Sequence, residues 1–427
     1  MKTELCNSGV LAAFGLLVAA AAHMPAPVEA QESPVDLCSS CHSALDERLS
    51  APVAAFATDI HSERGLTCVS CHGGDATAAG LAGMDPARGF VGKPSVQGTA
   101  QFCGRCHSDA QFMRQYNPSI RVDQVTEYVT SVHGRRLSEL RDTAVATCTS
   151  CHPAHSIRPP TDPLSSVNPL NVAETCGTCH ASAEYMAEYP IPTDQLERYQ
   201  RSVHWEMMSV ERDLSAPTCN DCHGNHGAAP PGISWVGNVC GQCHSVMADN
   251  FSESRHAQTF AMLGVPGCAT CHQNHDIVRA SDEMLGLGEG AVCARCHSEG
   301  DTGGEAATTM RSLIDSLGSS FEAADSILGL AEDAGMEVSE ALFELGNANN
   351  AAIQARASMH AFNVEAVAAD VEEGLEITSE AHQRGIDALA ELQFRRTGLA
   401  ISVSIILILI VGLVLRIRQL EHKRHTL

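Results

Sequence analysis

The chain has 427 residues, room for two or three ordinary domains, but only 4 % of them are aromatic and just two are tryptophan. Over much of this length a conventional apolar core is hard to build from side chains alone. The formal charge of −24 argues against nucleic acid as a partner.

Residues 1–30 carry the marks of an export signal: Lys2, an apolar run from Val10 to Ala22, and the small-residue sequence Val28-Glu29-Ala30. The run is short for a membrane span and is followed by Pro25 and Pro27, which favours cleavage over a retained anchor. Cys6 precedes the run instead of ending it, against a lipoprotein signal.

From Cys38 onward one pattern, C-x-x-C-H, dominates. It occurs at Cys38–Cys41–His42, Cys68–Cys71–His72, Cys103–Cys106–His107, Cys148–Cys151–His152 and Cys176–Cys179–His180. It returns at Cys219–Cys222–His223, Cys240–Cys243–His244, Cys268–Cys271–His272 and Cys293–Cys296–His297. These nine motifs use 18 of the 19 cysteines, and the last, Cys6, lies in the expected leader. One such motif fits a redox dithiol or half a zinc site. Nine, with no thiol left over, point to covalent attachment of c-type haem. Two thiols at this spacing add to the two vinyl groups on one edge of a porphyrin, and the adjoining histidine then offers its imidazole to the iron. Such attachment takes place outside the bacterial cytoplasm, in keeping with an export signal. Nine haem c groups within the 260 residues from Cys38 to His297 leave roughly 29 residues each. Most macrocycles must then nearly touch a neighbour and would supply the missing core.

Cys38–His42 stands first as a solitary motif. Four modules follow, each opened by a histidine with an aromatic residue five positions earlier: Phe56/His61, Tyr128/His133, Tyr199/His204 and Phe251/His256. The opening histidines are 72, 71 and 52 residues apart, as duplicated units with unequal loops would be. Two C-x-x-C-H motifs follow each opener, and in modules two to four the first is extended to C-x-x-C-H-x-x-H by His155, His226 and His275. Module one has Gly73-Gly74-Asp75 at that place. An extension histidine should serve a neighbouring haem, because the motif's own histidine already holds the near face. The four openers and three extensions give seven candidate second ligands for nine irons. Met84, another methionine, or His360 folding back are further candidates for the remaining two, and an open iron is the alternative. His360 and His382 otherwise read as surface residues. Short helices and irregular loops are expected between motifs, broken at Pro159-Pro160 and Pro230-Pro231, with no strand pattern.

Beyond His297 both cysteine and proline vanish. Residues 298–397 hold 19 acidic and 5 basic residues, a balance of −14, which reads as a solvated acidic helical surface. Apolar residues recur at helical spacing, at Leu313, Leu317, Phe321, Ala324 and Leu328, then Leu375, Ile386, Leu389 and Leu392. Two to four helices in a bundle or stalk over 301–396 follow, with breaks at Gly335 and near Gly346-Asn347. Leu399 to Leu415 is uncharged and, with its flanks, makes a transmembrane helix over 397–416. The tail, 417–427, is basic and is expected in the cytoplasm.

The motifs over Cys38–His297 resemble those of the bacterial multihaem c-type cytochromes, particularly the group with doubled C-x-x-C-H motifs and C-x-x-C-H-x-x-H extensions. The resemblance implies a mainly α fold over residues 31–300, of short helices and loops wrapped round stacked and perpendicular haem pairs. It implies His42, His72, His107, His152, His180, His223, His244, His272 and His297 as proximal iron ligands. It likewise implies His61, His133, His155, His204, His226, His256 and His275 as distal ones. No catalytic residue is assigned. Closely packed, doubly ligated haems suit an electron relay on the outer face of the cytoplasmic membrane. Such a relay would run from a quinol-oxidising or b-type cytochrome subunit to periplasmic or outer-membrane cytochromes. The rival expectation is an oxidoreductase that reduces a small nitrogen or sulfur oxyanion at an open haem. A long apolar-faced stalk also makes self-association plausible.

Overall fold

The computed structural model describes residues 36–229 and 239–425. The expected leader, residues 1–30, and the Pro230-Pro231 joint lie outside the described residues. The structure is mainly α-helical, with no strand among the described residues. It divides into two compact units, residues 1–94 and 95–427.

In the first unit, short helices carry the first two motifs, Leu37–His42 and Cys68–His72. Their ends are set by capping chemistry. The Asp36 carboxylate accepts hydrogen bonds from the amides of Cys38 at 3.0 Å and Ser39 at 3.4 Å. Thr67 and Ser70 form a reciprocal capping box around Cys68. Gly73 ends the second helix in the left-handed region at φ +67°, and a Cβ there would run into the carbonyl oxygen of Gly89. The extension position itself, three residues after His72, is Asp75, which pairs with Arg88.

The second unit holds the remaining motifs, again on short helices or tight turns. Thr147 with Ser150, and Thr218 with Asp221, repeat the capping box just ahead of Cys148 and Cys219. The opening histidines lie on helices α1 (Val132–Glu139), α2 (Val203–Ser209) and α3 (Arg255–Leu263).

Three long helices complete the unit: α4 (Thr302–Asp333), α5 (Ser339–Ser358) and α6 (Val364–His425). Gly335, at φ +78°, lies in the turn between α4 and α5. Gly346, in contrast, lies inside α5 and does not break it. The cost of glycine there, about 1 kcal/mol against alanine, is outweighed by burial of Leu345 and Ala348 on the inner face. Buried positions on α4 fall at Met310, Ile314, Leu317, Ala324, Leu328 and Ala331, alternating steps of three and four with Phe321 half-buried between them. This is the seam of a left-handed helical bundle. Small residues on α6 let it come close: a Cβ at Gly374 would stand 2.8 Å from Leu317, and one at Gly385 2.7 Å from Ile327. Ile386 is off this seam and 39 % exposed.

No break separates the bundle part of α6 from its apolar part. Among the described residues α6 is the one helix long and apolar enough to cross a membrane, and its side chains from Leu399 to Leu415 are exposed. It is consistent with a single span.

Candidate haem centres

Each opening histidine is placed by the same local device. In module three, the Ser202 hydroxyl accepts from the Trp205 amide at 3.1 Å and donates to the Tyr199 carbonyl at 2.6 Å. Ser131 does the same with Gly134 and Tyr128, and Ser254 with Ala257 and Phe251. In module one Asp59, 1 % exposed, takes this place, accepting from the His61 amide at 2.8 Å and contacting its Nδ1 at 2.9 Å. The sequence signal is therefore an aromatic residue, then Ser or Asp three positions on, then His two further. The sequence reading registered the aromatic and the histidine but missed the cap. The tyrosines have a role of their own: the Tyr128 hydroxyl donates to Ala146 O at 2.8 Å and Tyr199 to Pro217 O at 2.9 Å. Each thus fixes the chain two residues ahead of its module's first cysteine.

In modules two to four the opening histidine faces the second motif of its own module. Ring centroids of His133 and His180 are 6.1 Å apart, those of His204 and His244 6.4 Å, and those of His256 and His297 6.0 Å. The extension histidines of modules three and four instead face the first motif of the preceding module. His226 stands 6.3 Å from His152, and His275 6.1 Å from His223, both with ring planes 13° apart. Backbone bonds follow the same register: the Val132 amide donates to Ala228 O at 3.0 Å, and the Val203 amide to Ile277 O at 2.8 Å. Each carbonyl lies two residues past the next module's extension histidine, so successive modules interlock.

These separations test the fit of haem. Two metal–imidazole bonds of about 2 Å each, plus the radius of each five-membered ring, sum to about 6.3 Å between centroids. The observed pairs fit one metal ion held between two imidazoles. Burial pushes the protonation of His133, His152, His180, His204, His226, His256 and His275 down, which keeps the rings in the neutral form that binds metal. Several rings also have their other nitrogen engaged. His297 Nδ1 lies 3.0 Å from Asp301, and His223 Nδ1 lies 3.2 Å from Ala229 O. Such contacts orient the ring and leave Nε2 for the metal. Asp301 also caps α4 through the Gly304 amide at 2.7 Å, and its carboxyl lies well below the usual range, chiefly because backbone amides bond to it.

The cysteines of consecutive motifs also meet. Cys103, Cys219 and Cys268 lie close enough to Cys148, Cys176 and Cys240, respectively, to shift the protonation of those thiols. Cys179, Cys243 and Cys293 are near enough to add to the rise in protonation of Cys151, Cys222 and Cys271, respectively, whose largest cause is burial. From the third motif to the ninth, attachment edges therefore follow one another in chain order.

The other sequence candidates are placed as follows. His72 lies in the first unit with Nδ1 3.0 Å from Gly92 O. His107 ends the helix Thr99–His107, and His155 sits in a turn at φ +70°. His42 ends the helix Leu37–His42, and within the first unit no second imidazole is seen opposite it among the described residues. His360, which the sequence offers either as a surface residue or as a ligand folding back, is half-buried and faces His272.

A fold of short helices that sets cysteine pairs edge to edge and histidines face to face is that of a multihaem c-type cytochrome. The comparisons agree. The family model for cytochrome c3 matches residues 214–298. The C-type polyheme cytochrome OmcB from two strains of Geobacter sulfurreducens is 25 % identical over 259 residues, 56 % of this chain and 28 % of that protein. The chain thus matches less than a third of the length of these relatives. No solved structure matches it significantly. The motifs and these matches support a multihaem c-type cytochrome, a family that binds haem c covalently.

Proposed function

We propose that this chain is a membrane-anchored electron relay carrying nine haem c groups, with the histidine assignments given above. The observation that carries the reading is the set of imidazole pairs at 6.0–6.4 Å, which would leave those irons no place for a substrate. When bound, haem supplies one-electron redox chemistry, and two axial histidines tend to hold it at lower potential than histidine with methionine. The protein's part is to fix the rings, exclude water from them and set consecutive attachment edges side by side. The leader and basic tail support a periplasmic haem region and a cytoplasmic C-terminus. From Val364 to Leu399, α6 runs 35 residues, about 50 Å at 1.5 Å per residue. One span at the end of such a stalk offers no quinone pocket beside its own haems. A separate quinol-oxidising or b-type subunit then serves as donor, with periplasmic or outer-membrane cytochromes as acceptors.

A second reading, reduction of a small nitrogen or sulfur oxyanion, has one place in its favour, the motif of His42. The test uses the detergent-solubilised full chain. The relay predicts nine haems by alkaline pyridine assay, a reductive titration with no substrate turnover, and electron delivery to a soluble cytochrome. Turnover of nitrite or sulfite by the reduced protein, together with a high-spin signal, and loss of that turnover in His42→Ala, would replace the relay by the reductase.

A further inference from the structure

The register that pairs each extension histidine with the preceding module runs out at module four. The first motif there, Cys268–Cys271–His272, has no fifth module behind it to send a histidine back. Its place is taken by the turn between α5 and α6. The His360 ring lies 6.2 Å from that of His272 with planes 21° apart, within the range of the other pairs. His360 Nδ1 is directed at two backbone carbonyls, Arg356 O at 3.1 Å and Ala357 O at 3.2 Å. A hydrogen on Nδ1 is thereby engaged, and Nε2 is the nitrogen left to face His272.

The turn is fastened to the haem region on both sides. Arg356 makes a bidentate pair with Asp282, both bonds 2.8 Å. Asn250 Nδ2 donates to Ala357 O at 2.9 Å. Phe362, held at φ +52°, lies over the ring of His256, the candidate ligand of the ninth motif. The turn therefore touches two neighbouring centres.

We propose that His360 is the sixth ligand of the haem attached at Cys268 and Cys271, so that the helical unit closes the haem chain as a missing fifth module would. This rests on the bis-histidine reading of the other pairs. The ligand stands four residues before Val364, where α6 begins. Whatever tilts or releases the stalk then acts on an iron ligand.

The experiment compares His360→Ala, His360→Met, His275→Ala and His382→Ala in the solubilised full chain. It reads spin state by electron paramagnetic resonance, carbon monoxide stoichiometry and the redox titration. The expected result is one ninth of the haem becoming high-spin and binding carbon monoxide in H360A, reversed by added imidazole. H360M should stay low-spin with one haem at raised potential, and H382A should match the wild type. If H360A fails to accumulate, the H360M potential decides alone. An unchanged titration in H360M, or an unchanged spin state in H360A while H275A loses one low-spin haem, overturns the assignment and leaves the relay standing. If H275A is also unchanged, the bis-histidine reading itself fails and takes this inference with it.

Discussion

Ser202 offers a quantitative test of how the chain holds a ligand in place. Its side chain is 3 % exposed, caps α2 two residues before His204, and closes a second hydrogen bond to the Tyr199 carbonyl. Ser202→Ala removes an N-cap, worth about 1 kcal/mol, and strips a buried carbonyl of a donor, worth about 1 kcal/mol more. The sum, about 2 kcal/mol, increases local opening of α2 by a factor of roughly 30. Carbon monoxide can bind a six-coordinate iron only after an axial ligand leaves, so its slow binding phase reports this opening. S202A should speed that phase for one haem by roughly 30-fold, the upper end for such a local change. Ser202→Thr, which keeps the hydroxyl, should stay near the wild-type rate. An S202A rate equal to wild type, or S202T as fast as S202A, would refute the claim that this cap positions His204.

The remaining tests address the helical unit and the anchor. Asp282 has its carboxyl held below the usual range, chiefly by hydrogen bonding to Arg356. A depressed folded pKa gives stability present above the ordinary carboxylate value and lost as pH falls through the folded one. The difference in Tm between wild type and Asp282→Asn should be full at neutral pH and shrink below about pH 4. Arg356→Ala should destabilise docking by about 1 kcal/mol, since both partners are partly exposed. Leu328, fully buried in the seam, should cost about 2–5 kcal/mol when cut to alanine, lowering the far-ultraviolet melting of the helices while the Soret band at 25 °C stays unchanged. Ile408→Arg adds about 2.5–3.5 kcal/mol to insertion of the apolar part of α6 and should move chain from the membrane to the soluble fraction on cell fractionation.

What could be read without a fold is what is written in adjacent residues. Haem attachment needs two thiols and an imidazole within five consecutive positions, so the class of cofactor and the candidate proximal ligands are legible in the sequence. The apolar part of α6 is equally local, because a span is a matter of length and composition. The module repeat was legible too, since duplication preserves spacing. The caps at Ser131, Ser202 and Ser254 stood in that repeat unremarked, because a serine before a helix is common and gains meaning only from the bonds it makes. The partners of the distal histidines were a different matter. His226 meets a ring 74 positions earlier, at His152, and His360 one 88 positions earlier, at His272. No local pattern fixes such a distance. It is set by how modules interlock through Val132 with Ala228 and Val203 with Ile277, and by the clamp of Arg356 on Asp282. A lone histidine in an alanine-rich helical stretch looks like a surface residue, and only packing that turn against the eighth motif gives it the ring of His272 to face. Proximal ligands belong to the covalent chemistry of the chain; distal ligands belong to its tertiary structure.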